Sequence, residues 1–526
     1  MGSLTGAVAL LLLVTSCIST PLINELQPGQ EWPTRQSVKQ PYEDNAKISI
    51  NAEESTTQLN DEAEISTDDP VNVENEDIAV KSAPLAKEEP ERVDYSGSQL
   101  WKVATNKTGV RATLGRLRRR NLISSWGGNQ LTIDILVKPN AIENVTRIFK
   151  RENISYDVVI DDLQKRINEE NPPLDENELE LQDRRARAYN FWRYRGSHRR
   201  IGLIGAYMGY NSLTLPMEYW PSANWGHRMT WKQYHRLEDI HGFMDYLAKT
   251  YPSIISVKTI GKSFEGRDLK VLRISNGQSS NKAVFVDGGI HAREWISPAT
   301  VTYFINQFAE NFDVESDDVK NIDWYFLPVV NPDGYEYTHT VDRLWRKNRK
   351  PGYGRCSGAD LNRNFGYRWG GKGASNNPCS EIYRGARAFS EPETKALSDF
   401  IKTNAANFSA YVTYHSYGQY LLYPWGYDSA LPPDYQDLDN VGKRMAQAIQ
   451  QAGSSTYTVG SSSGLLYPAA GGSDDWAKSE GIKYTYTIEL SDTGRYGFIL
   501  PTNYIEPVAK ESLAGLRVLA KQVALE

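Results

Sequence analysis

The chain is organised around the segment Ala283-Val284-Phe285-Val286-Asp287-Gly288-Gly289-Ile290-His291-Ala292-Arg293-Glu294-Trp295. Its continuous apolar run is typical of a strand that is covered on both faces of a sheet. Two glycines permit a tight turn after this strand, and His291 and Glu294 follow three positions apart. Ligands bind at the carboxyl ends of such strands, where an imidazole and a carboxylate can converge on one metal ion. Alone, this spacing is a weak signal, because a surface histidine near a glutamate is the commoner arrangement.

Helical and strand patterns alternate on both sides of this segment. Residues 237–247 show helical spacing of apolar side chains, and residues 271–274 and 324–330 read as strands. Ser297, followed by a proline, is expected to cap the start of another helix. The pattern predicts an α/β domain with a mixed, largely buried central sheet and helices on both faces.

Two further polar residues occupy apolar strand patterns. His415 follows the apolar-aromatic residues 411–414, and Glu489 lies within residues 484–490. A carboxylate in such a strand costs solvation energy unless it is paired or used, so Glu489 is a candidate general base. His415 is a candidate metal ligand, and a buried structural histidine is the alternative that these residues leave open.

Six motifs occur in the order found in pancreatic-type zinc carboxypeptidases of the A/B family, which the chain resembles over roughly residues 229–525. They are His291-x-x-Glu294, Arg343-Leu344-Trp345-Arg346-Lys347, Asp360-Leu361-Asn362-Arg363-Asn364, His415-Ser416-Tyr417, Tyr467-Pro468-Ala469-Ala470-Gly471-Gly472-Ser473-Asp474-Asp475-Trp476 and Thr487-Ile488-Glu489-Leu490. The resemblance implies that His291, Glu294 and His415 bind one catalytic Zn²⁺, with water in the fourth position. It also implies that Glu489 is the general base and that Arg346 stabilises the oxyanion.

The same resemblance implies how a peptide end is recognised. Arg363, with Asn362 and Tyr467, would bind the C-terminal carboxylate, for which the planar fork of arginine is suited. Arg293 and Tyr417 would line the approach for the upstream residues of a peptide or protein substrate.

Specificity within this family depends largely on the residue seven positions after the loop tyrosine, which here is Asp474. A buried carboxylate favours a C-terminal Lys or Arg and rejects an uncharged residue. The resemblance therefore implies a B-type enzyme. An A-type enzyme for apolar C-terminal residues is one alternative. A non-catalytic secreted binding module with the same fold is the other, and the presence of Glu489 and Arg346 argues against it.

Strand and helix patterns between Tyr95 and Asn171 predict a small ferredoxin-like α+β unit, and this segment resembles the activation propeptide of the family. The chain is thus divided into a signal peptide (1–20), a disordered acidic spacer (21–93), a propeptide domain (94–175), a basic connector (176–225) and a catalytic domain (226–526). A trypsin-like protease is expected to activate the zymogen by cutting in the connector.

Composition excludes other classes of function. The chain has 526 residues, with Lys+Arg 59 against Asp+Glu 65 and a net charge of −6, unlike a basic nucleic-acid-binding protein. The apolar run at residues 7–14 is too short to span a bilayer and reads as part of the signal peptide, although an uncleaved anchor is the alternative because no basic residue precedes it. We predict a secreted, extracellular monomer with no nucleic-acid or membrane partner.

The cysteines and the N-glycosylation sequons are consistent with export of the chain from the cell. Once Cys17 leaves with the signal peptide, Cys356 and Cys379 remain and are predicted to form a disulfide. N-glycosylation sequons occur at Asn106, Asn144, Asn153 and Asn407.

Overall fold

The computed structural model describes residues 91–178, 180, 227–352, 354, 356–404 and 408–526. The predicted signal peptide, all but the last three residues of the acidic spacer, and most of the basic connector with its expected cleavage site lie outside the described residues. Within these ranges, no helix combines the length and the apolar character needed to cross a membrane.

Residues 99–170 form a small domain around a four-stranded antiparallel sheet. Its elements are β1 (Gln99–Ala104), α1 (Val110–Arg119), β2 (Ile123–Gly128), β3 (Thr132–Val137), α2 (Ile142–Glu152), β4 (Tyr156–Ile160) and α3 (Leu163–Glu170). The strands lie in the order β2-β3-β1-β4. This arrangement confirms the ferredoxin-like prediction. Strand β2 is an element that the sequence patterns did not reveal.

The two faces of this sheet bury different partners. On one face, Trp101 and Ile135 pack with Leu114 of α1 and Phe149 of α2. On the other face, Leu100, Trp126, Leu136 and Ile160 pack against three residues of the second domain, Leu344, Phe498 and Ile499. Alternation of apolar side chains along each strand produces both surfaces. The small domain therefore rests on the larger one through the open face of its sheet.

The larger domain contains eight strands and nine α-helices among its described residues. They are α4 (Leu237–Thr250), β5 (Ile255–Lys262), β6 (Asp268–Ile274), β7 (Lys282–Gly288), α5 (Ile296–Glu310), α6 (Asp317–Lys320), β8 (Ile322–Leu327), α7 (Pro332–Thr340), α8 (Pro392–Thr403), β9 (Phe408–Ser416), β10 (Tyr420–Tyr423), α9 (Tyr435–Gly453), β11 (Thr458–Ser461), α10 (Ser462–Leu465), α11 (Ser473–Ser479), β12 (Tyr484–Leu490) and α12 (Ile505–Ala524).

These strands form one mixed sheet in the order β11-β10-β12-β9-β7-β8-β6-β5. Helices α4, α5, α9 and α12 cover one face of the sheet, and α8 and α11 cover the other. The central strands are buried on both sides, as their unbroken apolar sequences predict. The predicted mixed, buried sheet with helices on both faces is confirmed.

Three neighbouring parallel strands, β12, β9 and β7, end at the same edge of this sheet. His415 is the penultimate residue of β9 and Glu489 the penultimate residue of β12, and the two residues are paired in register. His291 and Glu294 follow β7 after Gly289, whose φ of 63° favours glycine. The topology thus brings residues that are up to 198 positions apart to one edge.

Ser297 does not cap a helix, so that prediction is wrong. Helix α5 begins one residue earlier, at Ile296, and has no side-chain cap. The Ser297 hydroxyl accepts a hydrogen bond from the backbone N–H of Gly289 at 2.9 Å and donates one to the carbonyl oxygen of Tyr414 at 2.6 Å. It therefore ties the turn after β7 to strand β9, beside the metal-ligand candidates.

Candidate active site

His291, Glu294 and His415 converge at this edge. Each offers a ligand atom, and these atoms all lie within 4.8 Å of one another. The Nδ1 of His291 lies 2.8 Å from Oε1 of Glu294, and the Nδ1 of His415 lies 3.0 Å from Oε2 of Glu294 and 3.1 Å from the Nδ1 of His291. All three side chains are buried. Two imidazoles and one carboxylate facing a common point are a donor set that suits Zn²⁺.

The outer nitrogens of both imidazoles also have partners. The Nε2 of His291 lies 3.1 Å from Oδ1 of Asp360, and the Nε2 of His415 lies 3.3 Å from the hydroxyl of Thr413. Thr413 in turn donates to Oδ1 of the buried Asp287 at 2.6 Å. Such contacts orient the rings so that both Nδ1 atoms face Glu294 and each other, and the residues present therefore fit a bound zinc ion.

Electrostatics keep Glu294 ionised. Burial alone would raise the pKa of Glu294, but the adjacent imidazoles of His291 and His415 outweigh burial and lower it. Burial, reinforced by the nearby Arg346, lowers the pKa of His291. Burial alone would lower the pKa of His415, but the adjacent Glu294, aided by Glu489, outweighs burial and raises it. A metal ligand set needs neutral imidazoles, so binding of a metal ion here would release the proton that His415 carries.

Glu489 lies beside the triad without belonging to it. It is paired in register with His415 across β9 and β12, and it lines the same cleft as His291 and Glu294. Burial, aided by the charge of Glu294, raises the pKa of Glu489 to about 7 against the opposing effect of His415. A carboxyl group with a pKa near neutrality can both accept and return a proton.

Arg346 lines the same cleft as the triad. Its Nη2 and Nε donate to Oδ2 of Asp360 at 2.9 and 3.2 Å, and its Nη1 lies 3.8 Å from Oε1 of Glu294. These two carboxylates raise the pKa of Arg346 although burial opposes them. Asp360 thus holds both Arg346 and His291, a role that the sequence analysis did not assign to it.

The candidate residues for binding a C-terminal carboxylate line the same cleft. Arg363 and Asn362 occupy a 3-10 turn, Leu361–Arg363, which the side chain of Asp360 caps by accepting from the N–H of Asn362. The Nε of Arg363 donates to the carbonyl oxygen of Gly373 at 2.9 Å, which orients the guanidinium. Asn362, Arg363 and Tyr467 all line the cleft, and the Tyr467 side chain is 48% exposed.

Asp474 is buried and lines the cleft, together with Thr487 and Gly472. Burial raises the pKa of Asp474, and a hydrogen bond with Thr487 acts in the opposite direction. The neighbouring Asp475 is not among the described residues that line the cleft, and it accepts hydrogen bonds from the N–H groups of Gly426 and Tyr427 at 2.8 and 2.9 Å. The two adjacent aspartates therefore occupy different environments.

The small domain covers the cleft. Trp126, Gly127 and Gly128 of β2 line it, and the Tyr417 hydroxyl donates to Oδ2 of Asp134 at 2.7 Å. Arg293 is not among the described residues that line the cleft, and its guanidinium lies 4.2 Å from the ring centre of Phe498, which does line it.

Cys356 and Cys379 form a disulfide, as predicted. The bridge closes a loop that includes Asp360 and Arg363.

Two family models match the chain. One, described as zinc carboxypeptidase, matches residues 240–515, which is more than half of the chain. The other, described as carboxypeptidase activation peptide, matches residues 101–170. The two matches coincide with the larger and the smaller domain.

Individual relatives agree with these models. Carboxypeptidase B of Astacus astacus is 48% identical over 298 residues, which span 56% of this chain and 98% of that protein. Carboxypeptidase B of Bos taurus is 42% identical over 56% of this chain and 72% of that protein. The crystal structure of thrombin activatable fibrinolysis inhibitor superimposes with a TM-score of 0.67 at 31% identity, covering 82% of this chain and all of that one. From the two family models and these relatives, the chain belongs to the zinc carboxypeptidase family as a B-like metallocarboxypeptidase with its own activation peptide.

Proposed function

We propose that this chain is a secreted zymogen whose activated form removes Lys and Arg from the C-termini of peptides and proteins. The observation that carries the proposal is that the buried side chain of Asp474 lines the same cleft as the His291, Glu294 and His415 triad. A buried carboxylate there would pair with the cationic side chain of the residue to be removed.

The triad would hold one zinc ion. Zinc bound there would polarise the scissile carbonyl and lower the pKa of a water molecule. Glu489 would take the proton of the attacking water and later deliver it to the leaving amine, a task that suits a carboxyl group whose pKa is about 7. Arg346 would donate to the oxygen on which negative charge develops, and Asp360 would keep its guanidinium in position.

Exopeptidase action also requires recognition of the chain end. Arg363 would form a paired hydrogen bond with the terminal carboxylate, with Asn362 beside it and Tyr467 covering the bound residue. Arg293 and Tyr417 would contact residues further upstream. An endopeptidase would not need this carboxylate-binding cluster, because an internal segment of a peptide has no terminal carboxylate.

Zymogen activation would follow a cut in the basic connector by a trypsin-like protease. While the small domain is in place, Trp126 and the glycines after it line the cleft and leave less room for a substrate. The signal peptide at residues 1–20, secretion, the boundaries of the domains and the monomeric state remain predictions from the sequence.

An A-type preference for apolar C-terminal residues is the alternative, and Asp474 opposes it. An uncharged side chain would leave this carboxylate buried without a partner, a loss of about 1–3 kcal/mol or more.

The test is a specificity assay on the full-length protein after trypsin treatment. Release of C-terminal Lys, Arg, Leu and Phe from otherwise identical short peptides is measured with and without a zinc chelator. We expect basic residues to be released, chelation to abolish release, and Asp474→Ile to reverse the basic-to-apolar ratio. Asp475→Asn is the matched control, because Asp475 binds backbone N–H groups and should leave the ratio unchanged. A ratio that Asp474→Ile does not alter would refute the assignment.

A further inference from the structure

Three of the four N-glycosylation sequons lie in the small domain. They are Asn106-Lys107-Thr108, Asn144-Val145-Thr146 and Asn153-Ile154-Ser155. The fourth, at Asn407, lies outside the described residues. Peptidase chemistry explains none of them. Transfer of a glycan requires a sequon in an exported chain, and the folded protein must then leave room for a bulky, hydrated oligosaccharide.

Asn106 meets this requirement. It lies in the loop between β1 and α1, and Asn106, Lys107 and Thr108 are all exposed. Within the described residues, no hydrogen bond engages its side-chain amide. A glycan on this nitrogen would therefore displace no internal contact.

Asn153 also leaves room for an oligosaccharide, for a different reason. It ends α2 in the left-handed conformation, with φ 50° and ψ 52°, which asparagine tolerates better than most residues. Asn153 and Ser155 are exposed, whereas Ile154 between them is buried in the domain core. The core thus anchors the turn and leaves the two sequon side chains outside it.

The two sites are neighbours on one edge of the domain. The Nζ of Lys107 donates to the carbonyl oxygen of Glu152 at 2.8 Å and lies 3.4 Å from that of Asn153. Neither Asn106 nor Asn153 is among the described residues that contact the larger domain, which include the apolar cluster around Trp126 and the hydrogen-bonding residues Tyr95, Lys102, Asn129, Gln130, Asp134 and Glu170. Glycans at Asn106 and Asn153 would therefore not prevent the small domain from contacting the larger domain and covering the cleft.

Asn144 differs from both. It lies in the first turn of α2, is only half exposed, and precedes the fully buried Val145. The helical backbone also holds its sequon threonine, Thr146, half-buried.

We propose that Asn106 and Asn153 carry N-linked oligosaccharides, so that the zymogen is glycosylated on its activation domain and loses both glycans with that domain. The inference rests on the secretion that the proposed function includes. In the transfer, the side-chain amide nitrogen forms a bond to C1 of the first sugar of a lipid-linked oligosaccharide. The bond from C1 to the lipid diphosphate oxygen breaks, the lipid diphosphate leaves, and the nitrogen loses one proton.

The test uses the full chain, with its own N-terminal residues, expressed in a cell line that glycosylates. Protein from the medium is treated with peptide N-glycosidase in ¹⁸O water, which converts each glycosylated Asn to a labelled Asp, and is mapped by mass spectrometry. We expect labelling at Asn106 and Asn153. Asn106→Gln and Asn153→Gln should each remove one step of the gel-mobility shift, as should Thr108→Ala and Ser155→Ala, which destroy the sequons but keep the asparagines.

Asn121→Gln is the matched control, because Asn121 is exposed in the same domain but lies in no sequon. It should leave the shift unchanged. Absence of label from both sites, or label in the small domain at Asn144 alone, would overturn the inference. Peptidase activity after trypsin treatment is measured on the same preparation, so an active but unglycosylated protein would refute this inference without touching the proposed activity.

Discussion

One buried ion pair contributes to the attachment of the small domain, and its removal should loosen that domain measurably. Arg343 donates to both carboxylate oxygens of Glu170, from Nε at 2.7 Å and from Nη2 at 2.6 Å, and both side chains are buried. Arg343 also stacks on the ring of Trp295 and donates to the carbonyl oxygens of Arg293 and Phe498. Glu170→Gln leaves this buried cation without its counter-ion.

Breaking a buried pair by removing one partner costs about 3–5 kcal/mol. Because Arg343 keeps two carbonyl acceptors and the indole ring, we take the lower value, about 3 kcal/mol. This corresponds to a roughly 150-fold weaker attachment of the small domain, since about 1.4 kcal/mol equals a factor of ten.

The assay has two readouts. One is the initial rate at which the uncut zymogen hydrolyses a short peptide, which should rise by up to about 150-fold with the open fraction. The other is the rate at which the small domain dissociates after the connector is cut, followed by size-exclusion chromatography. Glu169→Gln is the matched control, because Glu169 lies on the same helix but its side chain is 49% exposed and pairs only with Arg166 in the described structure. Equal rates for Glu170→Gln and Glu169→Gln, with both proteins folded, would show that the Glu170–Arg343 pair does not hold the small domain in place.

Three further changes have defined outcomes. Burial raises the pKa of Glu393 to about 7, so the folded protein binds the proton of this carboxyl group more tightly than the unfolded chain does. The free energy of unfolding should therefore fall by about 3 kcal/mol as the pH rises from about 4.5 to 7. Urea titrations of Glu393→Gln should lack this pH-dependent loss of stability. Replacing both Cys356 and Cys379 by Ser should cost about 3 kcal/mol of unfolding free energy, because the bridge spans 23 positions; an unchanged denaturation midpoint would contradict this. Arg346→Gln should lower kcat about 10²–10³-fold with little change in KM in assays on short peptides, whereas a change confined to KM would place Arg346 in substrate binding alone.

Residues that end buried strands could be identified from the sequence. His291, His415 and Glu489 each interrupt or terminate an apolar run, and polar groups in such positions are costly unless they have partners. Parallel strands end at the same edge of a sheet, so the sequence could predict that these residues lie near one another, although not their exact geometry. Their assignment as a set nevertheless came from the resemblance of six motifs, since spacing alone does not distinguish a metal ligand from a buried structural histidine.

Residues that act through distant side chains could not be identified in this way. Asp360 contacts His291, which is 69 positions away, and no local pattern reports that contact. Asp134 meets Tyr417 across the two domains, 283 positions apart. Ser297 had the local signature of a helix cap, but the hydrogen bonds it makes with the β7 turn and β9 determine its place instead.

Strand β2 illustrates the limit for secondary structure. Its sequence, Ile123-Ser124-Ser125-Trp126-Gly127-Gly128, contains serines and glycines that disfavour strands. Pairing with β3 and burial of Trp126 against Phe498 hold it in the sheet. Tertiary contacts thus override local preference in the strand that covers the cleft.

If His291, Glu294 and His415 hold one zinc ion, zinc K-edge X-ray absorption on the full-length protein loaded with one equivalent of zinc should show their side chains around the metal. We expect two imidazole nitrogens at about 2.0–2.1 Å with carboxylate oxygen at a similar distance, and the loss of one imidazole in His415→Ala. A spectrum without imidazole scattering, or one that His415→Ala leaves unchanged, would contradict this assignment.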